Sequence, residues 1–297
     1  MQRLLITGAK GQLGQSFAAI AKHWPQFQCV FADKNIADIT NQPQMIALLH
    51  RIKPYAVINC AAFTNVDLAE QQPELAYAVN ATAVKQLAQL CLDTHTLLVH
   101  ISTDYVFSGK KLKNTVQRTA YTERDVTHPL NVYGSSKLAG EQAIQSIEPA
   151  GFIIRSSWLY SEYGNNFVRS IYNKIQQGVP LQVVDDQMGS PTYALELATV
   201  CLTLLSNHNL SLHFTRVQLL HCAGQGETSW YQLAKEILSN IKQQTTITAI
   251  NGKQWQSAAT RPAYSALSSR QLQQQFGLSL PPWQKSLITC LKQIGAE

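Results

Sequence analysis

The sequence predicts an α/β protein: a doubly wound parallel sheet followed by a smaller C-terminal α/β lobe. Three observations predict it. Short apolar runs recur at Arg3–Ile6, Phe27–Ala32, Tyr55–Asn59, Leu97–Ile101 and Gly151–Arg155, as strands buried on both faces do. Stretches with helical apolar spacing separate them, the alternation that a parallel sheet requires. The first run enters Thr7-Gly-Ala-Lys-Gly-Gln-Leu-Gly14, after which Phe17, Ile20 and Ala21 recur at helical spacing. Strand, glycine-rich turn and helix together form the phosphate-cradling unit of a Rossmann-type sheet.

In that turn Gly8 permits the tight bend, Gly11 lets backbone approach a pyrophosphate, and Gly14 lets helix and strand pack closely. The helix N-terminus, with Lys10, Gln12 and Leu13 around it, turns its positive end to the phosphates. The spacing is G-x-x-G-x-x-G rather than G-x-G-x-x-G, and an ordinary strand–helix turn is the other reading. Asp33 ends the second run 19 residues after Gly14, where an acid would bind the adenosine ribose hydroxyls. That carboxylate disfavours a 2′-phosphate, whereas Lys34 and Lys10 favour one, so NADH and NADPH both stay open. Asp38 and Ile39, ending a further short segment, could cap adenine. Ala61, Ala62 and Thr64 follow Tyr55–Asn59, and small residues at a strand end leave room for a cofactor.

Pro73–Thr94 reads as one helix with Leu75, Val79, Ala83, Leu87 and Leu90 on its apolar face. Asn80 inside it is either a buried tie or a surface residue. Leu97–Ile101 runs into Ser102-Thr-Asp-Tyr-Val-Phe107. Hydroxyls at the carboxyl end of a central strand lie where open α/β sheets bind ligands. Ser102 and Thr103 can donate to a substrate carbonyl. Asp104 could hold a sugar hydroxyl or simply form a turn. Gly109–Asp125 is polar and includes Lys110-Lys-Leu-Lys113; of a lid and a solvated loop, the loop is preferred.

Asn131-Val-Tyr-Gly-Ser-Ser-Lys137 opens the next helix and sets Tyr133 and Lys137 four residues apart, on one face. An ammonium within a turn favours a phenolate, so the pair reads as a proton donor and its tuner. Gly151–Arg155 counts as a sixth strand if the segment ending at Asp38-Ile39 is included, and it leads to Trp158. Beyond it come helices at Asn165–Ile175, Ala194–Leu205 and Thr228–Ile241, the last capped by Thr228. Strands at Leu181–Val184 and Val217–Cys222 alternate with them, and an amphipathic helix ends the chain. Residues 1–160 are therefore assigned to a nucleotide-binding domain, to which later segments return, and 161–297 mainly to a substrate lobe.

Composition narrows the function. Of 297 residues, 45% are hydrophobic and 14% charged, with a net charge of +6, which suits anionic partners. No basic stripe with interleaved aromatics appears, which argues against nucleic acid. Cysteines at 29, 60, 91, 201, 222 and 290 form no C-x-x-C, so the reading is reduced, buried thiols rather than disulfides or zinc. No secretory signal and no run of about 18 apolar residues is present, so a cytoplasmic protein with no membrane partner is expected. No carboxylate cluster shows metal-ligand spacing.

The order of these motifs, with Tyr133 30 residues after Thr103, resembles the extended branch of the short-chain dehydrogenase/reductases. Gly11-Gln-Leu-Gly14, Ser102–Phe107, Pro129–Gly134, Arg155–Trp158, Asn165–Phe167, Asp186–Thr192 and Arg261-Pro262 narrow it. They are similar to the dTDP-4-dehydrorhamnose reductase family across nearly the whole chain. The resemblance implies hydride transfer from NADPH or NADH to C4 of a dTDP-4-dehydro-β-L-rhamnose substrate, for cell-surface polysaccharide synthesis. It implies that Tyr133 protonates the alkoxide and that Lys137 binds the nicotinamide ribose and depresses the Tyr133 pKa. Thr103 would align the carbonyl, and Asp104 and Trp158 would contact the sugar. Some members use Mg²⁺ at a dimer contact, so Mg²⁺ and a homodimer enter by resemblance only. Two alternatives remain: a reductase of another nucleotide-linked 4-keto-6-deoxysugar, and a non-catalytic NADP-binding regulatory subunit. Cys60 departs from the family, many of whose members carry Asn there.

Overall fold

The computed structural model describes residues 1–110, 119–207 and 216–295. Its centre is a parallel sheet. The strands are β1 (Gln2–Thr7), β2 (Phe27–Ala32), β3 (Ala56–Asn59), β4 (Leu97–Thr103), β5 (Gly151–Ser156) and the Val217–His221 strand. Across the sheet they run Val217–His221, β5, β4, β3, β1, β2. Chain order reverses between β1 and β3, which opens a crevice at their carboxyl ends. Leu4, Leu5 and Ile6 are all fully buried, because both faces of the sheet are covered. Leu4 and Ile6 pack with Phe17 of α1 (Gln12–Ile20) and Leu197 of the Ala194–Ser206 helix. Leu5 packs on the other face with Leu48 of α2 (Gln42–Ile52).

The Asp38–Ile39 segment is a turn, so Gly151–Ser156 is the fifth strand in sequence and not the sixth. The sixth sheet strand, Val217–His221, comes from the second half of the chain and pairs with β5. After α3 (Val66–Gln71), the long helix expected over 73–94 is interrupted. It divides into α4 (Pro73–Tyr77), a π turn at Ala78–Thr82 and α5 (Ala83–Asp93). Asn80 in that turn is buried. Its amide oxygen accepts from Phe63 N at 2.9 Å, and its nitrogen donates to Phe63 O and to Ser136 Oγ, each at 3.0 Å. The turn thus ties the chain after β3 to α6 (Val132–Ile147). Leu75 leaves the apolar face expected of it and is 47% exposed, because the π turn shifts the residues before it out of phase with those after it.

Much of the second half of the chain forms a third core in which Tyr160, Val168, Leu233 and Leu287 pack. The helix expected from Thr228 starts at Trp230, and its cap is Ser229, whose Oγ accepts from Gln232 N at 3.1 Å. Thr228 and Ser229 instead pair antiparallel with Met188 and Gly189. Within the loop for which a lid was weighed, residues 111–118 lie outside the described residues. Tyr121 after them stacks on Phe107, with ring centroids 4.1 Å apart and planes 5° apart. Among the described residues no helix is long and apolar enough to cross a membrane.

Candidate active site

A cleft of about 1020 Å³ lies over the carboxyl ends of β1, β3, β4 and β5. That volume stands at the upper end of the roughly 300–1,000 Å³ typical of ligand pockets.

At one end is the glycine turn. Gly8 adopts φ 64°, and a Cβ there would sit 2.7 Å from Ala61 N. A Cβ on Gly14 would sit 2.5 Å from Gly8 O. Only glycine lets β1, α1 and the chain after β3 approach this closely. Lys10, Gly11, Gln12, Leu13, Lys34, Asp38, Ile39, Ala61, Ala62 and Thr64 also line the cleft. Asp33 does not. Its carboxylate pairs with the Lys10 ammonium and accepts from Asn35 N and Ile36 N at 3.0 and 3.3 Å. The Lys10 bond is the main cause holding Asp33 below the ordinary carboxylate range. Two of the three charges weighed for cofactor choice, Asp33 and Lys10, thus form one ion pair, and exposed Lys34 lies 4.0 Å from Asp38.

At the centre, β4 delivers Thr103 and Asp104. The Thr103 oxygen accepts from Tyr105 N at 3.2 Å, and its hydroxyl donates to Asp104 Oδ1 at 3.1 Å. Helix α6 begins beside them because Asn131 caps it, accepting from Gly134 N at 2.8 Å. A Cβ on Gly134 would lie 2.2 Å from Tyr105 O, so the helix start rests directly on the chain leaving β4. This seat brings Tyr133 and Lys137 into the cleft with Thr103. The Tyr133 and Tyr105 rings meet edge to face at 5.8 Å.

The electrostatics differ from the sequence reading in one respect. Burial pushes the Tyr133 phenol up to about 12, opposed by its hydrogen bond with Thr103 and reinforced by Asp104. Lys137 does not depress it, because the ammonium is turned to other partners: Ile101 O at 2.7 Å and His100 Nε2 at 3.2 Å. Burial pulls Lys137 itself down to about 8. Burial likewise pushes Asp104 up to about 7. Asp104 Oδ2, Gln12 Oε1 and Ser156 Oγ are buried without partners and all three residues line the cleft. Buried polar atoms are normally paired, so these three polar atoms of the cleft are free to meet a ligand or water.

Several residues escaped the sequence reading. Below Lys137, Glu141 receives Arg155 through Nε at 2.9 Å and Nη2 at 2.6 Å, and Ser102 Oγ also donates to it. Three elements are thereby joined under the site. At the far end, Trp158 (φ 47°) lies flat on Trp230, with centroids 3.4 Å apart and planes 4° apart. Trp158 thus spends one face on protein, and Trp230 joins it in lining the cleft. Arg261 also lines the cleft and is held by Asp67 at 2.7 Å. Arg155 and Arg261 stood in quoted motifs, but nothing in one sequence paired them with acids 14 and 194 residues away.

The sequence pattern described as RmlD substrate binding domain matches residues 1–295. A dTDP-4-dehydrorhamnose reductase of Aggregatibacter actinomycetemcomitans is 36% identical over 97% of both chains. The chain belongs to the dTDP-4-dehydrorhamnose reductase family. A solved reductase of this family from Bacillus anthracis, in complex with NADP, superposes with a TM-score of 0.90. It shares 34% identity and covers 98% of this chain and 99% of its own. A Streptomyces niveus dTDP-4-keto-6-deoxy-D-glucose reductase is 38% identical over 78% of this chain and 76% of its own. In this family member no three His, Cys, Asp or Glu side chains among the described residues converge as metal ligands.

Proposed function

We propose that the protein reduces the C4 keto group of dTDP-4-dehydro-β-L-rhamnose to give dTDP-L-rhamnose, using NADPH or NADH. The observation that carries this reading is the meeting of Thr103, Tyr133 and Lys137 in one cleft with the glycine turn. The nicotinamide supplies the hydride when bound. The glycine turn and the start of α1 hold the phosphates, and Gln12 and Ser156 offer unpartnered polar atoms to the ligands. Tyr133 stays protonated through neutral pH and delivers its proton to the carbonyl oxygen as negative charge develops there. Thr103 orients that phenol. The third N–H of Lys137, not taken by Ile101 or His100, serves the nicotinamide ribose. The indole edge of Trp158, with Trp230, bounds the sugar side, and Asp104 Oδ2 addresses a sugar hydroxyl.

The reading is tested by following NAD(P)H oxidation with dTDP-4-dehydrorhamnose beside other 4-keto sugar nucleotides. Oxidation with none of them would overturn it in favour of a regulatory, non-catalytic role. The Streptomyces niveus relative favours a second reading, another dTDP-linked 4-keto-6-deoxysugar, and the same assay separates the two.

The sugar side has its own test. A Cβ on Gly189 would lie 2.3 Å from the Trp158 ring, which is also stacked on Trp230. Overpacking of this kind costs about 1–3 kcal/mol, so Gly189→Ala is expected to raise the sugar-nucleotide KM about tenfold or more. Cofactor affinity should stay unchanged. Steady-state kinetics check this, and an unaltered KM would remove Trp158 from the sugar site.

A further inference from the structure

His100 is fully buried on β4 and does not line the cleft. It lies opposite Asn59 in the β3–β4 register. Its Nε2 is 3.2 Å from Lys137 Nζ, its Nδ1 is 3.1 Å from Asn59 Nδ2, and Thr7 Oγ1 donates to Asn59 Oδ1 at 2.7 Å. Thr7, Asn59 and His100 thus form a buried polar chain that ends on the proposed catalytic lysine. Such chains are costly to bury unless every member is satisfied.

We propose that His100 is a positioning residue: its neutral imidazole, backed by Asn59, accepts from the Lys137 ammonium, keeping that lysine charged and aimed at the cleft. The inference rests on the role given to Lys137 above. Burial and the neighbouring ammonium hold His100 well below the ordinary histidine range, so it is neutral at working pH. A neutral imidazole offers one lone pair and one N–H. A lone pair on Nε2 facing Lys137 needs the proton on Nδ1, and that proton needs an acceptor. The Asn59 amide supplies one when its oxygen faces the ring, and its nitrogen then donates to Thr7 Oγ1. With its nitrogen facing the ring, as in the structure, the imidazole proton sits on Nε2 and suits an uncharged lysine amine. The chain accommodates both charge states, and the charge-assisted bond is the stronger of the two. It therefore favours the ammonium.

The other titratable or charged groups that bear on Lys137 are Cys60 at the end of β3 and Glu141 one turn along α6. Burial keeps the Cys60 thiol protonated, and Glu141 is bound by Arg155 and Ser102. The acceptors that touch the ammonium, Ile101 O and His100, are both neutral. A buried ammonium with neutral acceptors is the one whose charge is easily lost.

The test is the pH profile of kcat for wild type, His100→Leu and His100→Gln. Activity that needs the ammonium falls as pH rises through the Lys137 pKa. Loss of an acceptor destabilises the charged form and lowers that pKa. In His100→Leu the basic limb is expected about one pH unit or more below that of wild type, since a hydrogen bond to a charged group is worth about 1.5–3 kcal/mol. His100→Gln, which can place an amide oxygen near the Nε2 position, is expected to restore much of the limb. If His100→Leu does not fold, Asn59→Leu carries the same test, with a smaller shift in the same direction. A basic limb unmoved in the folded variants overturns the proposal and leaves His100 a packing residue. Lys137→Met separates the two levels. Near-wild-type turnover there sinks the role of Lys137 itself, whereas its loss alongside an unmoved limb sinks only the role of His100.

Discussion

Tyr133→Phe is expected to lower kcat by about 10²–10⁴-fold, the usual contribution of a general acid, with cofactor affinity nearly unchanged. The phenol is held to Thr103 by a hydrogen bond and can give up a proton to the substrate oxygen at neutral pH without first being charged. The Thr103 hydroxyl alone is too weak an acid to replace it. The ring itself remains in Phe, so its edge-to-face contact with Tyr105, 5.8 Å between centroids, survives. The loss therefore reports chemistry and not packing. Single-turnover kinetics with NADPH or NADH, beside a fluorescence titration of cofactor, measure both quantities. Turnover within tenfold of wild type would remove Tyr133 from the acid role.

Glu141→Leu is expected to be the most destabilising single change near the site, by about 3–5 kcal/mol, the cost of leaving one partner of a buried ion pair alone. The side chains of Arg155 and Glu141 are 4% and 1% exposed. Arg155 would lose its bidentate partner and be left with the Phe107 ring face at 5.1 Å, a His221 contact at 3.4 Å and a weaker charge interaction with Glu123. Ser102 would lose its acceptor as well. At roughly 2–4 °C per kcal/mol, the melting temperature should fall by about 10 °C. Adding Arg155→Met should recover much of the loss, because a matched apolar pair replaces an orphaned charge. Thermal and urea denaturation of the single and double variants decide it. A loss below about 1 kcal/mol in the single variant would show that the pair contributes little to stability.

Local patterns that one stretch of chain sets for itself were legible from the residues. The glycine turn is an example, because close backbone approach excludes every side chain at Gly8 and Gly14. So is the Tyr133–Lys137 face, which follows from helix geometry once Asn131 caps the helix. Thr103 and Asp104 are placed at the carboxyl end of a central strand by sheet topology. The helix over 73–94 was misjudged in its middle, since the π turn at Asn80 is stabilised by Phe63 and Ser136, which no window around Asn80 contains. The Thr228 cap failed for a similar reason: strand pairing with Gly189 claimed Thr228 and moved the helix start to Trp230.

By itself, the sequence determined the sheet strands of the first half, the dinucleotide turn and the Thr103, Tyr133 and Lys137 set, because each depends on spacing within a turn, strand or helix. Only the tertiary structure decided which charges face one another. Lys10 takes up Asp33, Arg155 takes up Glu141, and Lys137 turns from Tyr133 to Ile101 and His100. For Arg155, Glu141 and Lys137 the choice follows from burial, where a charged group must find a partner; for the exposed Lys10 it follows from the packing that brings the glycine turn beside the end of β2.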